Sequence, residues 1–418
     1  MEKLRVGVVG AGRGKSMMRF CKTAENACLV AVCDIWEEGL NRVKEEMGTD
    51  GIGYYTSYDE FLNHPMDAVI LANYAPEHVP LAIKAMEKGI HVMSEVMPSA
   101  NLKEAIELVE TVERTGCKYA YLENTCYMPG PREMKKLYRE GVLGEFEYGE
   151  GEYCHNCEDV WTKLTHGNPD HWRNNMYASF YCSHSLGPLI HITGLRPKSV
   201  VGVELPELPR MRAMGRKGGI AAVELVTLEN GAVCKSVHGQ LYCHSLWWSL
   251  YGSKGRMETA REDTEMGHAG RIYLNYDKVG SVYNDHENHV EINYLPKDEH
   301  SKKAKKFSHG GADYYCTWNA VEYMRGNPDA DIIDVYEAFD MYLPGMFAHF
   351  SFLEGSKAVE IPDLRDPAQR EKYRNDTRCT LPKQAGDQLI PHYKEGHPEI
   401  PMENYENIRK KWIEEGCP

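Results

Sequence analysis

The first residues decide the fold of the N-terminal part of the chain: Leu4-Arg-Val-Gly-Val-Val-Gly10-Ala-Gly12-Arg13-Gly14-Lys15. The apolar run over residues 4–9 predicts a buried strand, and the glycines after it predict a tight turn into a helix. A helix N-terminus behind small glycines can accept a pyrophosphate, because its backbone N–H groups are free and no side chain blocks the approach. We therefore predict that Gly10, Gly12, Arg13 and Gly14 contact a dinucleotide.

Asp34 indicates which dinucleotide this is. It ends a second apolar run, at residues 28–33, about 20 residues after the glycine turn. A carboxylate at this place accepts hydrogen bonds from a ribose 2′-hydroxyl and repels a 2′-phosphate. The sequence therefore favours NAD over NADP as the cofactor.

The pattern along the chain predicts two domains and a tail. Up to residue 125, strand patterns alternate with helical patterns, which is typical of a parallel sheet with crossover helices. After Pro129-Gly-Pro131 the pattern predicts a helix near 132–140 and then period-2 strands with glycine turns. We predict an α/β Rossmann domain, an α+β domain with an open antiparallel sheet and a tail packed on the surface, at residues 1–125, 126–360 and 361–418.

Composition excludes several classes of protein. The 418 residues carry 48 Lys and Arg against 62 Asp and Glu, so the net charge is -14, and a protein that neutralises phosphates needs a basic face. No apolar run approaches the roughly 18 residues of a membrane span. The 13 cysteines are an odd number, and a strand pattern begins where an export signal would lie. We expect reduced thiols, a cytoplasmic location, and no nucleic-acid or membrane partner.

One segment raises the alternative of a metal site. Cys154-His155-x-Cys157 is followed by further histidines and a cysteine, at His166, His171, Cys182 and His184. Structural zinc sites usually pair two tight Cys knuckles, and only one Cys-x-x-Cys is present. We therefore expect no metal.

Two motifs resemble the Gfo/Idh/MocA oxidoreductases: Asn73-Tyr-Ala-Pro-Glu-His78 and His91-Val-Met-Ser-Glu95-Val96-Met-Pro98. The resemblance implies a Rossmann domain joined to an open-sheet domain that holds a sugar or polyol, and a homo-oligomer. It also implies cofactor contacts at Asn73, His78 and Glu95. Dehydrogenases of this family usually have Lys-Pro after the glutamate, whereas this chain has Val96.

Within that family, the chain is similar to the NAD-dependent glycosidases of glycoside hydrolase family 109, which also have Glu-Val at this place. Five segments match them in order: Glu123-Asn124-Thr-Cys-Tyr127, Tyr153-Cys-His155, Ser183-His184-Ser185-Leu-Gly-Pro188, His309-Gly-Gly-Ala-Asp313 and Asp334-Val-Tyr336. The resemblance implies cofactor contact at Asn124 and substrate contacts at His155, Tyr181, His309 and Asp313. Ser185 stands where that branch has glycine, so the substrate can differ.

The resemblance also implies a redox-neutral hydrolysis. A sugar is oxidised at C3, the acidified C2 proton is removed, the C1 substituent leaves, water adds and the ketone is reduced again. The base for the hydroxyl proton should titrate near neutrality, which makes His184 the first candidate. Tyr153 matches the tyrosine near C2, and Glu123 orients the sugar or the nicotinamide ribose. We count His184, Tyr153 and Glu123 as the catalytic residues.

Two other functions stay open from the sequence. The first is a net NAD-dependent dehydrogenase of a sugar or cyclitol, in which His184 takes the place of the missing lysine. The second is a non-catalytic NAD-binding sensor. The three hypotheses differ in whether a glycoside is cleaved and whether NADH accumulates.

Overall fold

The computed structural model describes residues 2–263, 270–280 and 288–415. Its N-terminal part is a six-stranded parallel sheet in the order β3-β2-β1-β4-β5-β6, with helices in the crossovers. These strands are β1 Leu4–Val9, β2 Ala27–Cys33, β3 Gly53–Tyr55, β4 Ala68–Leu71, β5 His91–Ser94 and β6 Tyr119–Tyr121. The helices are α1 Lys15–Thr23, α2 Glu37–Met47, α3 Tyr58–Phe61, α4 His78–Glu87 and α5 Leu102–Thr115.

The second part is a sheet in which nine described strands follow the order β14-β13-β12-β11-β7-β10-β9-β8-β15. The strands are β7 Phe146–Cys154, β8 Pro197–Glu204, β9 Ala221–Leu228, β10 Val233–Gly239, β11 Ser245–Gly252, β12 Gly255–Thr259, β13 Ile272–Asp277, β14 His289–Tyr294 and β15 Val359–Glu360. Its helices are α6 Pro129–Arg139, α7 Trp161–Thr165, α8 Cys182–Thr193, α9 Pro209–Ala213, α10 Ser301–Ala304, α11 Ala312–Met324 and α12 Val335–Leu353. The helices of the tail are α13 Pro367–Tyr373, α14 Pro382–Ala385 and α15 Met402–Glu414.

The predicted fold class is confirmed, with three differences in detail. The short strand β3 was not predicted, because three half-buried residues carry no periodic signal. The second sheet is not wholly antiparallel, since β7 and β10 run parallel at its centre. Helix α6 begins at Pro129, three residues before its predicted start near 132, because proline is tolerated in the first helical turn. The domain boundaries at 125 and 360 stay predictions.

Helix α5 shows how local signals set the ends of an element. The Asn101 side chain accepts a hydrogen bond from the Glu104 N–H at 3.0 Å, which caps the first turn. At the other end Gly116 adopts φ 66°, the left-handed conformation that commonly ends a helix. The apolar side of α5 is buried against the parallel sheet, as its helical spacing predicts.

Helix α8 lies buried over the centre of the second sheet and holds His184 and Ser185 close to β7. Gly151 of β7 permits this contact, because a Cβ there would lie 2.0 Å from the Ser185 carbonyl oxygen. The Trp248 indole N–H donates to the same carbonyl at 2.8 Å. Since alternate residues of a strand share a face, residues 151, 153 and 155 all face the start of α8.

The cysteines and the helices were both considered in the sequence analysis, as possible disulfides and as possible membrane spans. Every cysteine among the described residues is a free thiol. None of the helices in the described part of the chain is both long and apolar enough to cross a membrane.

Candidate functional site

A cavity of about 560 Å³ lies where the C-terminal edge of the parallel sheet meets the second sheet. Both parts of the chain line it, and helix α8 and strands β7 and β10 form its inner wall. The lining brings together ten of the residues predicted from the sequence: Gly12, Arg13, Asn73, Glu95, Asn124, Tyr153, His155, Tyr181, His184 and His309. It does not include the other six, which are Gly10, Gly14, Asp34, His78, Glu123 and Asp313.

The glycine turn after β1 is shaped to accept a phosphate group. Gly10 has φ 103°, and a Cβ there would lie 2.4 Å from the Ala72 carbonyl oxygen. A Cβ on Gly14 would lie 2.4 Å from the Gly10 carbonyl oxygen. A Cβ on Gly12 would meet no atom within 4 Å, so open space lies in front of this glycine. The turn therefore fits a dinucleotide, with Gly12 at the point of approach.

Asp34 lies beside this turn and not in the cavity wall. Its carboxylate accepts from the Ala11 N–H at 2.6 Å and from the Trp36 N–H at 2.8 Å, which ties the end of β2 to the glycine turn. This is the place at which a Rossmann carboxylate meets the adenosine ribose. The contact with the ribose stays a prediction.

Asn73 and His78 have different surroundings. Asn73 lines the cavity, and its side-chain carbonyl is buried without a hydrogen-bond partner in the described part of the chain. His78 is buried behind it, with its ring nitrogens 3.0 Å from the Met97 oxygen and 3.3 Å from the Asn73 oxygen. Burial lowers the pKa of His78 to about 4. His78 therefore does not line the cavity. It holds the backbone of Asn73, which does.

Arg13 connects the glycine turn to helix α11 in the second part of the chain. Its guanidinium lies 2.7 Å from Glu95 and donates to both oxygens of Asp313 at 2.6 and 2.9 Å. His309 adds a ring nitrogen at 2.9 Å from Asp313. Although burial opposes ionisation, His309 and Arg13 hold the pKa of Asp313 well below its usual range. Burial raises the pKa of Glu95 despite Arg13.

His184 lies in the first turn of α8 and is held from behind. Its Nδ1 is 2.6 Å from Glu123, whose carboxylate also accepts from Ser183 at 2.7 Å and from the Thr125 hydroxyl at 2.8 Å. Burial opposes ionisation of Glu123, yet the His184 ring and the two hydroxyls hold its pKa below the ordinary value. An ionised Glu123 fixes the proton of His184 on Nδ1 and leaves Nε2 as an acceptor. Glu123 is thus placed to position His184, outside the cavity itself.

Tyr153 lies against His184 and touches a second histidine. The ring centroids of Tyr153 and His184 are 4.4 Å apart. The Tyr181 ring also stacks on His184, with the centroids 5.2 Å apart. The Tyr153 hydroxyl is 3.2 Å from His155 Nδ1, a contact that two-residue spacing alone does not imply. Burial raises the pKa of Tyr153, and burial together with His244 lowers that of His155 to about 4. The pair is therefore neutral near pH 7.

Sequence reasoning missed the polar cavity residues Arg173, Arg216, His238 and Gln240. His238 pairs with Tyr153 across β10 and β7, and its Nδ1 lies 3.4 Å from the buried Glu224. Its Nε2 has no hydrogen-bond partner among the described residues. The alternation of buried residues along β10 places His238 on the inner face, but period 2 says nothing about chemistry.

No group of three or more His, Cys, Asp or Glu in residues 2–263, 270–280 and 288–415 is placed to hold a metal ion. Cys157 Sγ lies 3.5 Å from His155 Nδ1.

Two sequence profiles match the chain. Residues 4–122 match the oxidoreductase family with an NAD-binding Rossmann fold, Gfo/Idh/MocA. Residues 242–370 match the C-terminal domain of glycosyl hydrolase family 109. The chain thus carries an N-terminal part that matches the Gfo/Idh/MocA oxidoreductases and a later part that matches family 109. It is an NAD-binding enzyme, and NAD is the cofactor that the glycine turn fits.

Curated relatives match most of the length of the chain. A glycosyl hydrolase family 109 protein of Streptomyces coelicolor is 26% identical over 403 residues, covering 88% of this chain and 84% of the relative. An α-N-acetylgalactosaminidase of Shewanella oneidensis is 26% identical over 396 residues, covering 87% and 85%.

Solved structures show the same Gfo/Idh/MocA fold at lower identity. An oxidoreductase from Agrobacterium radiobacter, in complex with NAD⁺, L-tartaric acid and magnesium, has a TM-score of 0.68 at 14% identity and covers 86% of this chain and 98% of its own. Myo-inositol 2-dehydrogenase from Lactobacillus plantarum has a TM-score of 0.65 at 17% identity, with 86% and 100% covered.

Proposed function

We propose that this enzyme cleaves a glycosidic bond with no net oxidation of the sugar. The observation that carries the proposal is the shared cavity, in which the glycine turn for NAD opens beside His184, Tyr153 and His155. When bound, NAD supplies a hydride acceptor that can return the hydride, so the sugar is oxidised only transiently. The family 109 relatives support the same reaction class.

His184 takes the hydroxyl proton of the sugar. Its Nδ1 is engaged by Glu123 at 2.6 Å, so Nε2 is the acceptor that faces the cavity. A neutral histidine is a suitable base near neutral pH. Glu123 stabilises the imidazolium that forms, because its carboxylate is ionised and buried in direct contact with the ring.

Tyr153 removes the second proton, at the carbon next to the transient ketone. Because burial raises its pKa, the phenol becomes a base only as its own proton moves to His155. The 3.2 Å contact offers that path. The cavity also has an apolar part of its wall, which disfavours water. Its residues are Val160, Trp161, Leu164, Trp172 and Met176.

The second candidate function is a net dehydrogenase of a sugar or cyclitol. The structural neighbours favour it only through their fold, since myo-inositol 2-dehydrogenase shares 17% identity. In the part of the chain that the structure describes, no lysine lines the cavity, and Val96 stands there instead. A dehydrogenase built on this site would therefore depend on His184.

The experiment that tests the proposal uses purified enzyme without added cofactor. We expect NAD to co-purify with the protein, and at least one chromogenic glycoside from a panel of neutral and acidic sugars to release its aglycone over many turnovers without a rise in NADH absorbance. One NADH formed per sugar consumed would replace the proposal with the dehydrogenase. Bound NAD with no reaction across the panel would contradict the proposal.

A further inference from the structure

Two arginines face the cavity without a carboxylate partner in the described part of the chain. Arg216, between α9 and β9, is only 2% exposed and has no ion pair, and its Nε has no hydrogen-bond partner. Arg173 donates from Nη1 to the Tyr181 hydroxyl at 2.6 Å and lies 4.4 Å over the Trp172 ring. Both arginines line the cavity.

None of the carboxylates near the cavity forms an ion pair with Arg216 or Arg173 in the described residues, and both oxygens of the buried Glu224 lack a hydrogen-bond partner there. Glu95 contacts Arg13, Glu123 contacts His184, and Glu224 lies beside His238. Glu204 is the carboxylate that acts on Arg216, but its oxygens accept from the N–H groups of Lys394 at 2.8 Å and of Gly219 at 3.0 Å. Burial raises the pKa of Glu204 to about 7, and this carboxylate forms no ion pair with Arg216.

A guanidinium in this position is costly unless an anion compensates it. Removing a charge from water is unfavourable by several kcal/mol in real proteins. Burial lowers the pKa of Arg216 to about 10, which leaves it cationic at neutral pH and still without a partner. The planar fork of an arginine matches a carboxylate or sulfate through two parallel hydrogen bonds.

We propose that the substrate carries an anionic group, a carboxylate or a sulfate ester on the sugar, and that Arg216 binds it with Arg173 beside it. The proposal rests on the proposed function, because it takes the ligand of this cavity to be a glycoside. The phosphates of NAD do not meet this need, since the glycine turn that fits them belongs to the parallel sheet. A neutral N-acetylated sugar would leave Arg216 uncompensated.

The test measures binding of paired monosaccharides to the NAD⁺-loaded enzyme by calorimetry. The pairs are galactose against galacturonic acid and galactose 6-sulfate, and glucose against glucuronic acid and glucose 6-sulfate. We expect at least one acidic sugar to bind about 10-fold or more tightly than its neutral parent, the size of a charge-assisted hydrogen bond. The uronic acids and the sulfates separate the two anions.

Variants assign that preference to Arg216. Arg216→Gln should abolish the preference for the acidic sugar while NAD⁺ affinity is kept, and Arg216→Lys should retain part of it because the charge remains. Lys217→Gln is the matched control, since Lys217 is the neighbouring cation, donates to Asn175 at 2.8 Å and does not line the cavity. Circular dichroism and NAD⁺ affinity check that each variant is folded.

The result that overturns the proposal is equal binding of acidic and neutral sugars by the wild-type enzyme, or no binding of any acidic sugar at millimolar concentration. A preference that survives in Arg216→Gln also overturns it. Binding needs no turnover, so the two proposals fail separately. An acid preference without glycoside cleavage refutes only the proposed function, and cleavage of neutral glycosides without an acid preference refutes only this one.

Discussion

Tyr153 and His184 lie in contact, yet the groups that hold them differ. His184 is fixed by the buried carboxylate of Glu123, whereas Tyr153 contacts the neutral ring of His155. This difference suits two separate proton transfers on one sugar. It also makes the two steps separable by substitution.

We expect His184→Ala to abolish formation of enzyme-bound NADH, because the hydroxyl proton then has no acceptor. Tyr153→Phe should still oxidise the sugar but stall before the aglycone leaves. Loss of a general base typically costs about 10²–10⁴-fold. Stopped-flow absorbance should show an NADH burst with little product for Tyr153→Phe and no burst for His184→Ala. Near-normal aglycone release by Tyr153→Phe would exclude it as the base.

Asp34 determines the choice between NAD and NADP in our interpretation. Asp34→Ala should relax the preference for NAD, because it removes a charge-assisted hydrogen bond to the ribose, about 1.5–3 kcal/mol, and the repulsion of a 2′-phosphate. Fluorescence titration with both cofactors measures the change. Asp34→Asn keeps an acceptor for the Ala11 N–H and separates charge from turn geometry. Unchanged affinities for both cofactors in both variants would place Asp34 away from the ribose.

At the scale of the element, the turn between β1 and α1 depends on its glycines for two different reasons. A methyl group on Gly14 would meet the Gly10 oxygen at 2.4 Å and Val8 Cγ1 at 2.8 Å, whereas one on Gly12 would meet nothing within 4 Å. Gly14 is therefore required by the packing of the protein. Gly12 is required only to leave room for the pyrophosphate that approaches the turn.

Gly12→Ala should fold like the wild type and bind NAD⁺ about 10-fold or more weakly, about 1.4 kcal/mol, because the methyl group lies in the path of the pyrophosphate. Gly14→Ala should lose stability by about 1–3 kcal/mol, because an overpacked backbone has to move. Thermal unfolding and cofactor titration distinguish the two effects. A Gly12→Ala enzyme with wild-type NAD⁺ affinity would contradict the assignment of the turn.

Helix α12 links the second sheet to the tail through His349. Its Nε2 donates to the Pro391 oxygen at 2.8 Å, and its ring stacks on Tyr177 at 4.8 Å. Burial lowers the pKa of His349 to about 4, below the roughly 6.5 of an unfolded histidine. The unfolded chain therefore binds more protons, and this group lowers stability as the pH falls from about 6.5 to about 4.

Between about pH 7.5 and 5.5, the free energy of unfolding should fall by about 1 kcal/mol more in the wild type than in His349→Gln. Urea unfolding at the two pH values gives the difference. His289→Gln, at an exposed position of β14, is the control and should keep the wild-type dependence. Identical losses in the wild type and His349→Gln would show that His349 is not buried as a neutral ring.

At the scale of the whole molecule, the tail connects the two sheets. Strand β15 pairs with β8 at the edge of the second sheet, while Arg370 of α13 reaches α5 of the Rossmann domain. Arg370 is 4% exposed and donates to both oxygens of Glu113, at 2.7 and 2.8 Å. The Tyr336 hydroxyl donates to Glu113 at 2.6 Å.

Glu113→Ala should lower the free energy of unfolding by about 1–3 kcal/mol, because it removes both short hydrogen bonds of the buried Arg370 and leaves it only the 3.9 Å contact with Glu110. Glu87→Ala is the matched control, since its pair with Arg114 is 3.2 Å long and exposed on both sides. An exposed pair of this kind is worth at most about 1 kcal/mol. Equal effects of the two substitutions would show that the tail is not held through Glu113.

The sequence by itself determined the first sheet, apart from the short strand β3, and the place of its cofactor turn. Residues 4–15 carry a strand, a turn with Gly10, Gly12 and Gly14, and a helix start, so local sterics and periodicity suffice to define them. The same holds for α5, which Asn101 begins and Gly116 ends. Motifs in chain order indicated His184, Tyr153 and His309, but their spacing in the chain gave no distances between them.

Only the tertiary structure decided which of these side chains share a cavity and what holds each one. Glu123 proved to contact His184 from behind, His78 to bind backbone oxygens, and Tyr153 to touch His155. Arg216 and His238 belong to no recognisable sequence motif. The fold brings both to the wall of the cavity, where Arg216 Nε and His238 Nε2 have no hydrogen-bond partner among the described residues. The burial of a side chain and its hydrogen-bond partners depend on residues that are distant in sequence, so a local sequence pattern cannot predict them.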